Sequence, residues 1–250
     1  MWGPLKSDYP RNDLLLPEKI EDQLPVLPGR IKSYLKINCY MMKLPGKTVE
    51  RLSEYRRTLL GCLNEKRNFI YSHDLAALLH ITAVQVRRDL MLIGYSSVLR
   101  KGYDVRELID TIGKIIDSEK SVNVAVIGIG NLGRAVAGYF KGKRSKLNLV
   151  ASFDTDPQKV NRVISGVRCY PYNECERIIR ELDIRIAILT VPPDFAVEIA
   201  EEAVRFGIKG ILNFTTIPLN VPSGVYLEEY DMITSIEKVA YFVKEYKILG

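Results

Sequence analysis

An apolar run, Val124-Ala-Val-Ile127, leads straight into Gly128-Ile129-Gly130-Asn131-Leu132-Gly133, and a second run, Leu147-Asn-Leu-Val-Ala-Ser-Phe153, ends on Asp154. No other stretch restricts the fold as much. β-Branched residues entering a glycine turn that opens a helix make a strand–turn–helix corner. Gly128 permits the tight turn, Gly130 lets backbone N–H groups approach a phosphate, and Gly133 lets the helix pack on its strand. The positive end of that helix faces the same point. Asp154, 21 residues beyond Gly133, is placed to accept from a ribose 2′-hydroxyl and to repel a 2′-phosphate. The reading is a dinucleotide site for NADH or NAD+; a tight turn without ligand is the plainer alternative. The motif begins at residue 128 of 250, so about half of the chain precedes it.

Two domains of ordinary size fit this length, and a hydrophobic content of 47% supplies their cores. No apolar run approaches the roughly 18–20 residues that span a bilayer, so no membrane partner is expected. Met1-Trp-Gly-Pro-Leu-Lys-Ser-Asp8 lacks a signal-peptide core, and the chain reads as cytoplasmic. Cys39, Cys62, Cys169 and Cys175 contain no C-x-x-C pair, and His73 and His80 are the only histidines. Buried thiols are therefore expected rather than a disulfide framework or a metal site, although Cys169 and Cys175 are close enough in sequence to meet. The net charge of +6 is mild, but its placement is informative. Arg87, Arg88, Arg100 and Lys101 gather between Thr82 and Tyr103, with Asp89 beside them. Such a patch fits an anionic polymer, or else a solvated face.

Six of the twelve prolines (Pro4, Pro10, Pro17, Pro25, Pro28 and Pro45) fall within residues 1–46, which read as a loosely ordered extension. Met41-Met42 has the character of an ordinary start, which would make 1–40 dispensable. Residues 47–120 read as helical. Val49, Leu52, Tyr55, Leu59, Leu60 and Leu63 follow a 3–4 spacing. Ser72 is expected to cap a second helix, and Thr82 a third that stops at Gly94. Helix, helix, turn, helix and a basic hairpin-like segment is the order of a winged helix-turn-helix, with a three-helix packing unit as the alternative. Arg106 to Ile116 supplies a further helix. Beyond Asp156, Asp183–Val191 reads as a strand, Asp194–Phe206 as an amphipathic helix, and Gly210–Phe214 and Val225–Glu229 as short strands. This alternation predicts an α/β fold with a Rossmann-like, doubly wound parallel sheet over 121–232. A last helix, 233–250, is expected to be exchanged between subunits or to cover its own sheet. Ligands of such sheets sit outside the strand carboxyl ends, which groups Gly128–Gly133, Asp154, Thr190, Val191, Pro192, Asn213 and Phe214 around one crevice.

A dehydrogenase would need a proton donor beside the nicotinamide. Both histidines lie in the helical half, and Tyr139-Phe-Lys-Gly-Lys143 falls too early in the fold for a short-chain dehydrogenase pair. No catalytic residue is assigned. A nucleotide bound as a signal, a true NAD-dependent dehydrogenase and a CoA-binding regulatory module stay in play.

Thr82-Ala-Val-Gln-Val-Arg-Arg-Asp-Leu90, followed by Gly94 and Gly102-Tyr103, resembles the recognition helix and wing of the redox-sensing transcriptional repressor Rex family. Gly128–Gly133, Phe153-Asp-Thr-Asp-Pro157, Leu189-Thr-Val-Pro192 and Gly207–Phe214 match the family in order and spacing, over about residues 42–250. The resemblance implies a homodimer that binds palindromic operator DNA when NADH is scarce and releases it when NADH binds. It also implies that Gln85, Arg87 and Arg88 face the operator, with Arg51, Thr82, Arg100 and Lys101 supporting them. Arg57, Tyr139 and Asp231 would form the switch, Tyr139 at the nicotinamide end and Asp231 across the dimer. The wing departs from the family pattern: Ser96-Ser-Val-Leu-Arg100-Lys101 replaces a glycine-rich Arg-Gly segment, and Ile93 stands where a phenylalanine is usual.

Overall fold

The computed structural model describes residues 44–96, 101–140 and 146–245, which fall into two compact units dividing between Ile112 and Gly113. The proline-rich extension up to residue 43, the Met41-Met42 pair, Cys39 and Arg100 lie outside the described residues.

In the first unit, α1 (Gly46–Asn64), α2 (Ser72–Leu78) and α3 (Ala83–Leu92) precede α4 (Val105–Ile116). A short antiparallel pair, β1 (Phe69–Ile70) with β2 (Tyr103–Asp104), leads into α4. Leu52, Tyr55 and Leu59 of α1 are sealed from solvent, as are Leu75, Val86, Leu90, Val105 and Leu108. Leu60, counted with the apolar stripe by its spacing, is 48% exposed. It follows Leu59 directly and so lies about 100° further round the helix. Thr82 caps α3 as expected, its Oγ1 accepting from the Gln85 N–H at 3.1 Å. Ser72 does not cap α2. It is the first helical residue, and the Asp74 carboxylate instead accepts from the Tyr71 N–H. An acid at the third helical position reaches back to the N-terminus and gains from the helix dipole.

The second unit is a seven-stranded sheet in the order β5 (Val163–Ile164), β6 (Val167–Pro171), β4 (Leu147–Asp154), β3 (Val122–Ile127), β7 (Ile184–Leu189), β8 (Gly210–Asn213) and β9 (Tyr226–Glu229). Every pair is parallel except β5–β6. Alternation along β3 explains why both faces are covered. Val124 and Val126 pack on the side of Ala137 from α5 (Asn131–Tyr139). Ala125 and Ile127 pack on the side of Ile178 and Ile179 from α6 (Cys175–Glu181) and Ala200 and Ala203 from α7 (Ala196–Phe206). The sheet is doubly wound. Its chain runs from β3 outward to β4 and β6, then returns to β7 on the other side of β3. The segments after β3 and β7 therefore meet at the switch point where α/β sheets bind ligands.

The β5–β6 hairpin and α6 are not evident from periodicity, because the strands are short and their turn rests on Ser165 and Gly166, both at positive φ. Cys169 and Cys175 are buried in the cores on opposite faces of the sheet and do not meet. With Cys62 they are free thiols. Among the described residues nothing covers the final helix, α8 (Met232–Glu245): Ile233, Ile236, Val239, Phe242 and Val243 are 53–61% exposed. No described helix is long and apolar enough to cross a membrane.

Candidate functional site

The glycine turn after β3 separates three roles. Gly128 has φ +91°, donates its N–H to the Phe153 carbonyl at 2.8 Å, and would bring a Cβ to 2.8 Å from the Thr190 carbonyl. Both conformation and packing demand glycine there. Gly133 abuts the Gly128 carbonyl, and a side chain on it would also meet Thr190 Oγ1. Gly130 is different. Its φ is −73°, and no atom lies within 4 Å of the position a Cβ would take. No described residue requires a glycine at 130. The open flank adjoins the first turn of α5, where no side chain caps the helix. First-turn N–H groups at a helix start are the donors from which a pyrophosphate would accept.

Asp154 ends β4 beside this turn. Its Oδ2 accepts from the Ile129 N–H at 3.0 Å and from Lys159 Nζ at 3.1 Å, and its Oδ1 from the Asp156 N–H at 2.9 Å. An ionised carboxylate has about four acceptor positions, so one on Oδ1 remains for a ribose hydroxyl. Lys159 also reaches Asp156 at 3.4 Å. Two carboxylates share this ammonium, and Arg134 adds a second cation near Asp156. Lys159 was not evident as a site residue in the sequence, although its position three residues after Asp156 is a usable signal.

Other expected site residues brace the crevice. Thr190 Oγ1 donates to the Gly128 carbonyl at 2.6 Å and so holds the turn closed. Asn213 is buried, donating from Nδ2 to the Ile217 carbonyl at 2.9 Å. Its Oδ1 accepts from the N–H and the hydroxyl of Thr215. Phe214 donates its N–H to Leu189 and tilts against the Tyr230 ring at 5.2 Å. Ile129 is a core residue that offers only its N–H; Leu132, Val191 and Pro192 have exposed surface. Tyr139 lies at the far end of α5, about 12 Å along the axis from Asn131 and 70% exposed. Asp231 caps α8, with its carboxylate accepting from the Ile233 N–H at 2.8 Å and the Thr234 hydroxyl at 2.6 Å. The bonds from Thr234 hold that carboxyl below the ordinary range. Arg57 is exposed on α1.

On the first unit, Arg87 and Arg88 project from α3 into solvent, and Arg87 Nη1 donates to Ser72 Oγ at 3.0 Å. Lys101 is exposed. Arg51 and Gln85 are not free in the same way: both are tied to Asp89, which is completely buried. Tyr55 donates its hydroxyl to the same carboxylate at 2.7 Å. Burial pushes the Asp89 carboxyl up, but the hydrogen bonds from Arg51, Tyr55 and Gln85 outweigh it and leave the group below its ordinary value. Arg51, Gln85 and Asp89 border an open groove of about 500 Å³.

Residues 119–217 match the family described as "CoA binding domain", and residues 43–90 match "Putative DNA-binding protein N-terminus". A redox-sensing transcriptional repressor Rex from Lactobacillus gasseri is 34% identical over 202 residues, spanning 81% of this chain and 94% of its own. The chain belongs to the Rex family. A further Rex, from an Exiguobacterium species, is 34% identical over 82% of this chain and 94% of its own. The Rex-family repressor RSP, solved with β-NAD+ and operator DNA, superposes with a TM-score of 0.77 at 34% identity, covering 83% of this chain and 96% of that one. RSP with β-NADH gives 0.73 over 83% and 98%. The likeness to Rex spans both units, so the glycine turn and α3 belong to one protein type rather than to two chance motifs.

Proposed function

We propose that this chain is a DNA-binding transcriptional repressor that holds operator DNA while NADH is scarce relative to NAD+ and releases it when NADH binds. The observation that carries the reading is Rex-family membership across both units, with RSP solved with β-NADH and with β-NAD+ plus operator DNA. Residues 47–120 are the winged-helix DNA-binding domain, 121–232 the dinucleotide domain and 233–250 the dimerisation helix, after an extension over 1–46. Gln85, Arg87 and Arg88 face the operator, aided by Arg51, Thr82 and Lys101. Gly128–Gly133, Asp154, Thr190–Pro192, Asn213 and Phe214 form the nucleotide crevice, and Arg57, Tyr139 and Asp231 form the switch. The bare apolar face of α8 supports a homodimer in which the helix is exchanged, because such a face is stable in water only when covered. A cytoplasmic location follows from the DNA partner and the nucleotide pool.

The oxidised and reduced nucleotides share adenosine and pyrophosphate, so Gly128–Gly133 and Asp154 hold both alike. The nicotinamide is cationic in one and neutral in the other, and only groups that meet it discriminate. A ligand shifts a two-state equilibrium solely by its differential affinity for the states. The described thiols are a poor basis for redox sensing. Burial pushes the Cys175 thiol up to about 12 and raises Cys62 and Cys169, so all three are held as unreactive thiols.

The match to a CoA-binding family keeps a second ligand class in view. Asp154 favours a free ribose over the phosphorylated ribose of CoA. The deciding experiment is anisotropy of a labelled palindromic operator titrated with protein, alone and with saturating NAD+, NADH or CoA. NADH is expected to weaken operator binding at least tenfold, with CoA inert. Unchanged affinity at saturating NADH overturns the reading.

A further inference from the structure

We propose that Asp89 is the positioning residue of the DNA-reading face, deciding which atoms of Gln85 and Arg51 point outward. This rests on the reading that α3 contacts operator DNA. The Asp89 carboxylate is 0% exposed and receives four hydrogen bonds. Oδ1 accepts from Arg51 Nη2 at 2.8 Å and Gln85 Nε2 at 3.0 Å. Oδ2 accepts from Arg51 Nε at 2.6 Å and the Tyr55 hydroxyl at 2.7 Å. Four donors fill the acceptor capacity of an ionised carboxylate, so the hub is complete without DNA.

The consequence for Gln85 is directional. An ionised carboxylate only accepts, so the amide must turn its NH2 group toward Asp89 and its Oε1 away. One amide hydrogen is used internally, and the other, with Oε1, is left for a base edge. A carbonyl and an N–H side by side is the pattern that pairs with adenine N6 and N7. Without the carboxylate, the two amide orientations, which differ by a half-turn, become nearly equivalent. The flipped one presents a donor where the acceptor belongs. Arg51 is constrained likewise. Nε and Nη2 are held by Asp89, and Nη2 also reaches Thr48 Oγ1 at 3.3 Å, which leaves Nη1 as the outward end. Arg51 therefore contributes charge toward a phosphate and cannot offer its Nε–Nη2 fork to guanine.

A panel of operators, each carrying one substituted base pair, tests this with the full-length wild type and the variants Gln85→Met, Asp89→Asn and Lys101→Ala. Gln85→Met keeps the Asp89 bonds to Arg51 and Tyr55, and should lose about fivefold or more discrimination at one operator position. Asp89→Asn, nearly isosteric, should lose discrimination at that same position. Lys101→Ala should weaken all operators evenly, as a phosphate contact does. The inference is overturned if Asp89→Asn keeps the wild-type base preference, however far its affinity falls. It is equally overturned if Asp89→Asn shifts a different position, or if Gln85→Met shifts none. Failure of the wild type to bind any operator strikes the repressor reading instead. Should Asp89→Asn not fold, the wild type supplies the readout by NMR. The Gln85 side-chain amide pair, assigned by its loss in Gln85→Met, should be displaced from free-glutamine shifts, and free-glutamine shifts overturn the proposal.

Discussion

Asp89 and Asp154 are both aspartates in hydrogen-bonded corners, one in each unit, yet they are built for different ends. Asp89 is sealed, its donors are all side chains from α1 and α3, and its acceptor positions are all taken. Asp154 keeps a 10% exposed side chain, two of its donors are backbone N–H groups, and one acceptor position is open. A filled, buried carboxylate organises its neighbours. A carboxylate with spare capacity beside an unexplained glycine is ready for a ligand. The same residue type is saturated in one unit and unsaturated in the other, and the difference lies in how many acceptor positions its neighbours fill.

The sharpest way to break this contrast is to remove each carboxylate. Asp89→Ala should destabilise the fold by about 3 kcal/mol, since it leaves the buried Tyr55 hydroxyl without its acceptor and Arg51 without its partner. Asp154→Ala should cost no more than about 1 kcal/mol in urea denaturation while weakening NADH binding by about tenfold, measured by calorimetry. Equal stability losses would erase the distinction.

The glycine turn offers a second test, of intermediate size. Gly133→Ala forces a Cβ against the Gly128 carbonyl and should destabilise by about 2 kcal/mol. Gly130→Ala meets no described residue, so its stability should stay within about 0.5 kcal/mol of wild type while NADH affinity falls. Retained affinity in Gly130→Ala would remove the pyrophosphate from that flank.

Acid provides a smaller effect with a definite sign. The folded Asp89 carboxyl lies below its ordinary value near 3.8, so its stabilisation is complete above that value and is lost as pH falls through the folded one. The melting-temperature gap between wild type and Asp89→Asn should therefore be widest near neutrality and close below about pH 4. A gap that widens in acid would contradict the hub. The smallest expectation concerns thiols: Cys62, Cys169 and Cys175 should resist iodoacetamide in the native protein and react only on unfolding, followed by peptide mass spectrometry.

Much of the fold was legible because its signals are local. The strand, glycine spacing and acid around residues 124–154 are adjacent in sequence, and the Thr82 cap and the stop at Gly94 lie within one helix. The two-domain order and the grouping of crevice segments followed from alternation alone. Other parts were hidden for physical reasons. The tie between Arg51 and Asp89 was hidden because 38 residues separate them in the chain, whereas Gln85 lies one helical turn before Asp89 on α3, a spacing that could have shown the pair. Thr190 and Asn213 were grouped with the crevice by their place at strand ends, and their polar atoms bond to the Gly128 and Ile217 carbonyls rather than face outward. The β5–β6 hairpin is too short to show a period.

Residue order was therefore enough to specify a glycine-turn nucleotide corner, a helical unit ahead of it and the kinship of both. Those features depend on backbone geometry and on contacts a few residues apart. Which acceptor positions are filled, which thiols are kept apart and which helix is left bare depend on segments brought together only by packing. Cys169 and Cys175 end on opposite faces of the sheet because strand and helix point them there. The apolar residues of α8 have the spacing of a buried stripe, and only the folded chain reveals that no described residue covers them.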